Sequence, residues 1–311
     1  MVSCRPKSNG CEECGQLTPP FGLIASAVGG ELAFFDLNDL QVIRTEQMTG
    51  WATALELVPG GSRFIAADNE TGALAVFSLP EADRLEQLSI GGTPIDLRLS
   101  RNGLTAHLLT NNSRYFRIAT NAVDADTHFT GPSPRRLRLR PHNELDAWIT
   151  CRGDNSIRVV QQEGFFEVLR IPMPSRCTDI EFSPDGVRGY CALPDLQLLF
   201  VLDATTGVQI DSFDISGSII DLAVSTDGHY LLSADSTDGM STLLDLVARQ
   251  SFPVQLGTSA IRPRYSAASA AFFAICPTES YILRLDPYST PPQVTDTIRV
   301  EPIPQCMSFL E

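Results

Sequence analysis

One phrase recurs along this chain, and its spacing constrains the fold more than any other feature. GGTPIDLRLSRNG at 91–103 returns as PSRCTDIEFSPDG at 174–186 and as SGSIIDLAVSTDG at 216–228. Each copy alternates apolar and polar residues and then meets a turn signal, the pattern of a half-buried strand ending in a tight turn. The turns begin at Val58, Ser100, Arg140, Ser183, Ser225 and, in degenerate form, Ser266, so successive steps are 42, 40, 43, 42 and 41 residues. A period of about 40–45 residues with several strands in each unit is the signature of a propeller blade.

The order inside each unit is constant. After the alternating strand and its turn comes a second apolar strand, such as RFIAAD (63–68) or LDAWIT (145–150). A polar hairpin follows, such as NETG (69–72), then a third strand, such as LLFVLD (198–203), and a weaker fourth, such as VQIDSFDI (208–215). Residues 301–311 read as a first strand with nothing after it, and residues 21–48 as strands two to four with no first strand. Joined, they form a composite blade beside six whole units starting near 49, 91, 132, 174, 216 and 257. The expectation is an all-β, seven-bladed propeller of four-stranded antiparallel blades over 17–311. Its ring is closed by N-terminal strands pairing with the C-terminal one, which removes open sheet edges. Residues 1–16 lack hydrophobic periodicity and are expected to be a flexible leader.

VLDATTGVQIDSFDI (201–215) and GGTPIDLRLSRNG resemble the YVTN-type repeat of bacterial and archaeal seven-bladed propellers, relatives of the WD-repeat proteins. The resemblance spans roughly residues 20–311. The Tyr-Val-Thr-Asn of the family's second strand is only approximated, by LLTNN (108–112) and AWIT (147–150), and the Trp-Asp signature is missing. Members of this family include surface and periplasmic proteins, binding scaffolds and some enzymes, so the resemblance implies a fold rather than an activity.

Charge and composition narrow the function classes. The net charge of −14 argues against a general nucleic-acid binder, which needs a basic face. No apolar run reaches the ~18–20 residues that span a membrane as a helix. Neither a Gly-x-Ser-x-Gly motif nor a phosphate-binding glycine loop is present, and His107, His128, His142 and His229 fall on different parts of the blades. No catalytic set, metal site or cofactor is therefore assigned. The hairpin residues Asn69, Glu70, Asp154, Asn155, Asp195, Asp235 and Asp238 are first of all turn formers, and no Asp-x-Asp-x-Asp-Gly calcium loop occurs.

Eight cysteines are present. Cys177 and Cys306 fall at first-strand starts, and Cys151 and Cys276 at the ends of second strands in the preceding blades. The start of strand one and the end of strand two share a rim. Disulfides Cys151–Cys177 and Cys276–Cys306 are accordingly expected, each contributing ~2–4 kcal/mol if unstrained. Cys11 and Cys14 form a CxxC better suited to a local disulfide than to zinc. Cys4 resembles the lipidated cysteine of a bacterial lipoprotein. With the disulfides, this points to an exported protein of the periplasm or cell surface, with membrane contact only through a lipid on Cys4.

Two groups of residues are candidates for recognition. Equivalent first-strand positions around the ring are Ala54, Asp96, Arg136, Asp179, Asp221, Arg262 and Ser308, followed two residues on by Glu56, Arg98, Arg138, Glu181, Ala223, Arg264 and Leu310. Neighbouring opposite charges, Asp96 by Arg136, Arg136 by Asp179 and Asp221 by Arg262, read either as inter-blade salt bridges or as a polar channel mouth for a small ligand or ion. Residues 132–176 carry eight Arg against five acids. Arg135, Arg136, Arg152 and Arg176 are expected on one face with Trp51 on the same rim, a surface suited to a protein partner. The leading expectation is a non-enzymatic binding or scaffold propeller of the cell envelope. The alternatives are a lactonase-like hydrolase at the channel and a propeller subunit of a periplasmic redox complex.

Overall fold

The computed structural model describes residues 17–121, 125–142, 144–235, 237–300 and 303–311. Its strands form seven four-stranded antiparallel sheets, each running outward in chain order except the first. In that blade, blade 1, the inner strand is Pro304–Leu310, followed outward by Phe21–Ser26, Glu31–Asp36 and Val42–Gln47. Phe21 pairs with Leu310 and Ala25 with Cys306, so the two ends of the chain close the ring as expected. The inner strands of blades 2 to 7 are Ala52–Leu57, Pro94–Leu99, Pro134–Leu139, Ile180–Phe182, Ile219–Val224 and Ile261–Ser266. Helix among the described residues is limited to one 3-10 turn, Pro194–Leu196.

Alternation explains how these strands pack. Side chains of a strand leave opposite faces of its sheet in turn, so a blade between two others buries both faces. Second and third strands are accordingly almost continuous apolar runs, such as AFFAIC (271–276), buried throughout, whereas the outermost RLEQLS (84–89) is largely exposed. The core divides into seven apolar clusters, one at each blade–blade interface. Aromatic pairs anchor several of them, such as Trp148 edge-on to Phe182 between blades 4 and 5 at 5.4 Å between ring centres.

The recurring turn has a chemical basis. The Ser183 hydroxyl donates to Asp185 at 2.5 Å and accepts the Arg188 N–H at 3.0 Å. Ser225 does the same with Asp227 and Tyr230, and Ser100 with Asn102 and Thr105. The serine thus closes the turn and pins the start of strand two, while Gly103, Gly186 and Gly228 take the positive φ that follows.

The cysteines depart from expectation. Cys151, Cys177, Cys191, Cys276 and Cys306 are all free, buried thiols, and neither expected bridge forms. The cysteines share the expected rim but not a sheet face. Cys151 belongs to the cluster that blade 4 shares with blade 3, whereas Cys177 lies in the cluster between blades 4 and 5. Cys276 likewise faces blade 6, and Cys306 faces blade 2. The thickness of blade 4 separates the first expected pair, and blades 7 and 1 separate the second. Burial pushes the thiols of Cys151, Cys276 and Cys306 up to about 12. Cys4, with its expected lipid, and Cys11 and Cys14, with their expected disulfide, lie outside the described residues.

Candidate functional site

The starts of the inner strands converge on the propeller axis. Irregular pairing at Ala52/Ala54, Pro94/Asp96, Pro134/Arg136 and Ile219/Asp221 inserts a bulge there, a device that re-aims side chains. The acids so placed tie each blade to the next. Buried Asp96 of blade 3 accepts the Leu137 N–H of blade 4 at 2.9 Å. Asp179 of blade 5 accepts the Leu222 N–H of blade 6 at 2.9 Å, and Asp221 accepts the Arg262 N–H of blade 7 at 3.0 Å. In blade 1 the Ser308 hydroxyl takes that part, accepting the Leu57 N–H of blade 2 at 3.1 Å and donating to Glu56.

Guanidinium groups fill the space between these acids. Arg138 is the hub, with Nη1 3.1 Å from Asp96, Nη2 2.8 Å from Asp179 and Nε 2.8 Å from Glu181. Glu56 lies between Arg98 at 3.0 Å and Arg264 at 2.6 Å, which joins blade 7 to blade 2. Arg136 reaches across the axis from blade 4 to Asp221 of blade 6, Nε to Oδ1 being 2.6 Å. The result is an axial plug of mutually paired charges. Salt bridges between blades were anticipated, but not these partners. Arg136 bonds Asp221, not Asp96 or Asp179, and Arg262 gives Asp221 only its backbone N–H.

The electrostatics follow from burial against pairing. Burial alone would raise the Asp96 carboxyl, yet Arg98, Arg138, Arg136 and Arg262 outweigh it and hold it well below the usual range. At Asp179 burial prevails, helped by Asp221 and Glu181 and opposed by Arg138, and the carboxyl is pushed up to about 7. Burial disfavours the Arg138 charge, but Asp179, Glu181 and Asp96 hold that guanidinium above its ordinary value. Burial and neighbouring guanidiniums lower Arg98 and Arg262.

The channel is open at the ends of the inner strands, not at their starts. A funnel of about 740 Å³ opens at the ends of the inner strands, on the face of the recurring turns, and every blade contributes to its wall. Its floor is Glu56, Arg98, Arg138, Glu181 and Arg264, and its rim includes Arg140, His142 and Tyr265. Tyr265 belongs to a chain in which its hydroxyl meets that of Tyr288 at 3.0 Å and Tyr288 donates to Asp227 at 2.7 Å. These rim residues lie at or beyond the end of strand one, outside the positions that recur in the repeat.

The other face holds the remaining candidates, dispersed. Trp51 is half-exposed and donates from its indole N–H to Glu70 at 2.6 Å. Arg152 is exposed, and Arg176 pairs with Asp195 at 2.8 Å. Arg135 is half-buried beside Arg136 and Arg152, and its Nε has no hydrogen-bond partner among the described residues. Blade 3 separates Trp51 from this arginine group, so the structure does not bring them into one patch. The hairpin acids close their own turns, Asp68 accepting the Glu70 and Thr71 N–H groups and Asp235 that of Thr237. His107 is buried against the Tyr115 hydroxyl at 2.7 Å, away from the axis.

No protein-family model and no curated protein matches the sequence. Solved structures do. The chain is similar to a functionally unknown protein from Desulfotomaculum acetoxidans, with a TM-score of 0.79 and 11% identity over 94% of this chain and 99% of that one. It is also similar to a hydrazine synthase chain of Kuenenia stuttgartiensis, with a TM-score of 0.73 and 11% identity over 82% and 88%. A third likeness is to the dihydro-heme d1 dehydrogenase NirN in complex with DHE, with a TM-score of 0.69 and 12% identity over 91% of this chain and 64% of that chain. Likeness at these identities establishes the architecture and leaves the activity to the site: the protein is a seven-bladed β-propeller.

Proposed function

We propose that this propeller is a non-enzymatic binding scaffold of the cell envelope that receives a small ligand or a protein segment in its axial funnel. The observation that carries the reading is the funnel itself. All seven blades build it, its volume of about 740 Å³ suits a ligand-sized guest, and its floor offers three guanidiniums interleaved with two carboxylates. Arginine forks suit a guest bearing carboxylate or phosphate. A hydrolase of the lactonase type would need a floor carboxylate free to take a proton. Glu56 and Glu181 are instead each engaged by a guanidinium, Glu56 by Arg264 and Arg98, Glu181 by Arg138. Kinship with YVTN-type propellers, export and a lipid on Cys4 belong to the same reading, supported by the repeat phrases and by the residues around Cys4.

The test is a thermal-shift screen with acidic metabolites and acidic peptides, run on the wild type, on a Tyr265→Ala/His142→Ala double variant and on a Trp51→Ala/Arg152→Ala double variant. Guests of the funnel lose their shift in the first variant and keep it in the second. Shifts lost only in the second variant would move the binding surface to the opposite face and overturn the reading. The likeness to a hydrazine synthase chain and to NirN favours a second reading, a propeller subunit of a redox complex docked through Arg152 and Arg176. Co-purification of a haem protein from the native source, abolished by Arg152→Glu, tests that one.

A further inference from the structure

A small cavity of about 20 Å³ lies on the axis within the plug and shares Arg98, Arg138 and Arg264 with the funnel floor. Arg98, Arg136, Arg138, Arg262 and Arg264 line it, with Asp221 as the one carboxylate among the lining residues and Leu55, Pro263 and Met307 among its apolar walls. The volume exceeds the ~10–15 Å³ that a single water-sized particle needs.

The donor and acceptor inventory of the walls is one-sided. Guanidinium groups only donate. Asp221 is the acceptor at hand, yet its Oδ1 already takes Arg136 and its Oδ2 the Arg262 N–H. A water molecule would find many partners for its oxygen and, for its hydrogens, only the second lone pair of Asp221 Oδ2. A monatomic anion accepts on every side and donates nothing.

Arg262 singles out the occupant further. Its guanidinium donates no hydrogen bond to any described residue, and its nearest carboxylate oxygen, on Asp96, is 3.9 Å away. Its backbone takes a φ of +48° directly before Pro263, a left-handed conformation that a non-glycine residue adopts only when its surroundings hold it there, and proline disfavours it further. The chain thus keeps a strained arginine lining a cavity in which that arginine has nothing to bond. The geometry points to a halide site, occupied by chloride, that completes the coordination of Arg262 and links blades 3, 4 and 7 through one ion. Burial, and after it neighbouring guanidiniums, depress Arg262 and Arg98.

Two measurements decide. The first is bromide soaking of crystals with anomalous diffraction, where a peak among the five guanidiniums is expected. The second is the melting temperature in sodium chloride against sodium gluconate at constant ionic strength, for the wild type and Arg262→Gln. A saturable rise with chloride, matched by bromide and lost in Arg262→Gln, supports the site. A rise that gluconate reproduces, or a cavity with no anomalous peak, overturns it. If Arg262→Gln does not fold, the bromide peak alone settles the matter.

Discussion

Replacing Arg138 with methionine removes the hub of the plug while keeping most of its apolar stem. Asp96 and Asp179, both fully buried, lose their closest guanidinium, and Glu181, on the funnel floor, loses its own. Removing one partner of a buried ion pair costs about 3–5 kcal/mol, because the other must stay charged in a poor solvent or take up a proton. Both aspartates keep backbone donors, Asp96 from Leu97 and Leu137 and Asp179 from Ile180 and Leu222, which places the loss near the middle, at about 4 kcal/mol. At about 2.1 cal/mol/K per residue, the unfolding entropy of this chain is roughly 0.65 kcal/mol/K, so the melting temperature falls by about 6 °C. The pH dependence is the sharper part. An orphaned carboxylate has a folded pKa above its unfolded value near 3.8, which Asp179 already has in the wild type at about 7, so the new pH dependence comes chiefly from Asp96. Between the unfolded and folded values the folded state binds more protons than the unfolded one, so the variant loses stability as pH rises and regains it on acidification. Calorimetry at pH 8 and pH 5 should therefore show a larger difference from wild type at pH 8. A drop of less than about 1 °C, or an equal drop at both values, would refute the idea that Arg138 holds buried charge in place.

Two further outcomes follow from the core. The five described thiols should resist alkylation in the native protein and all react in denaturant without reductant; under oxidation Cys177 should join Cys191, its neighbour in the same cluster, and a linked peptide joining 151 with 177 or 276 with 306 would contradict the structure. Burial, reinforced by Arg117, pushes the His107 imidazole down to about 3 from 6.5, so the folded state binds fewer protons across that window and stability falls as pH drops through it. His107→Gln should be less stable at pH 7 yet lose about 2 kcal/mol less than wild type between pH 7 and pH 5, and equal slopes in chemical denaturation would show that the imidazole is not held neutral.

The architecture was legible because it rests on local rules repeated many times. Alternation, serine-anchored turns and a constant step fix four strands per unit, and the unmatched strand at 301–311 fixes the closure. The plug was legible as a set of residues but not as a set of bonds. An arginine spans enough distance to choose among several acids, and bulges at Asp96, Arg136 and Asp221 rotate the side chains before they reach the axis. Hence Arg136 crosses the channel to Asp221, and Arg138, not a first-ring residue, holds three blades together. The cysteines failed for a related reason. Sheet face changes with every residue, so a position known only to within one or two places fixes the rim and leaves the face undetermined. The left-handed backbone of Arg262 has no sequence signal at all, since nothing in IRPR (261–264) demands it.

The composite blade also sets how the molecule is displayed. Phe21 and Leu310 are paired neighbours, and Glu311 lines the funnel. A tail grafted after Glu311 therefore leaves at the funnel's lip. A protein held to a surface by that end would turn its recess towards the support and offer the Trp51 and Arg152 side to the medium. Moving the attachment point to a second-to-third-strand hairpin, such as the one at 69–72, inverts that presentation without touching the axis.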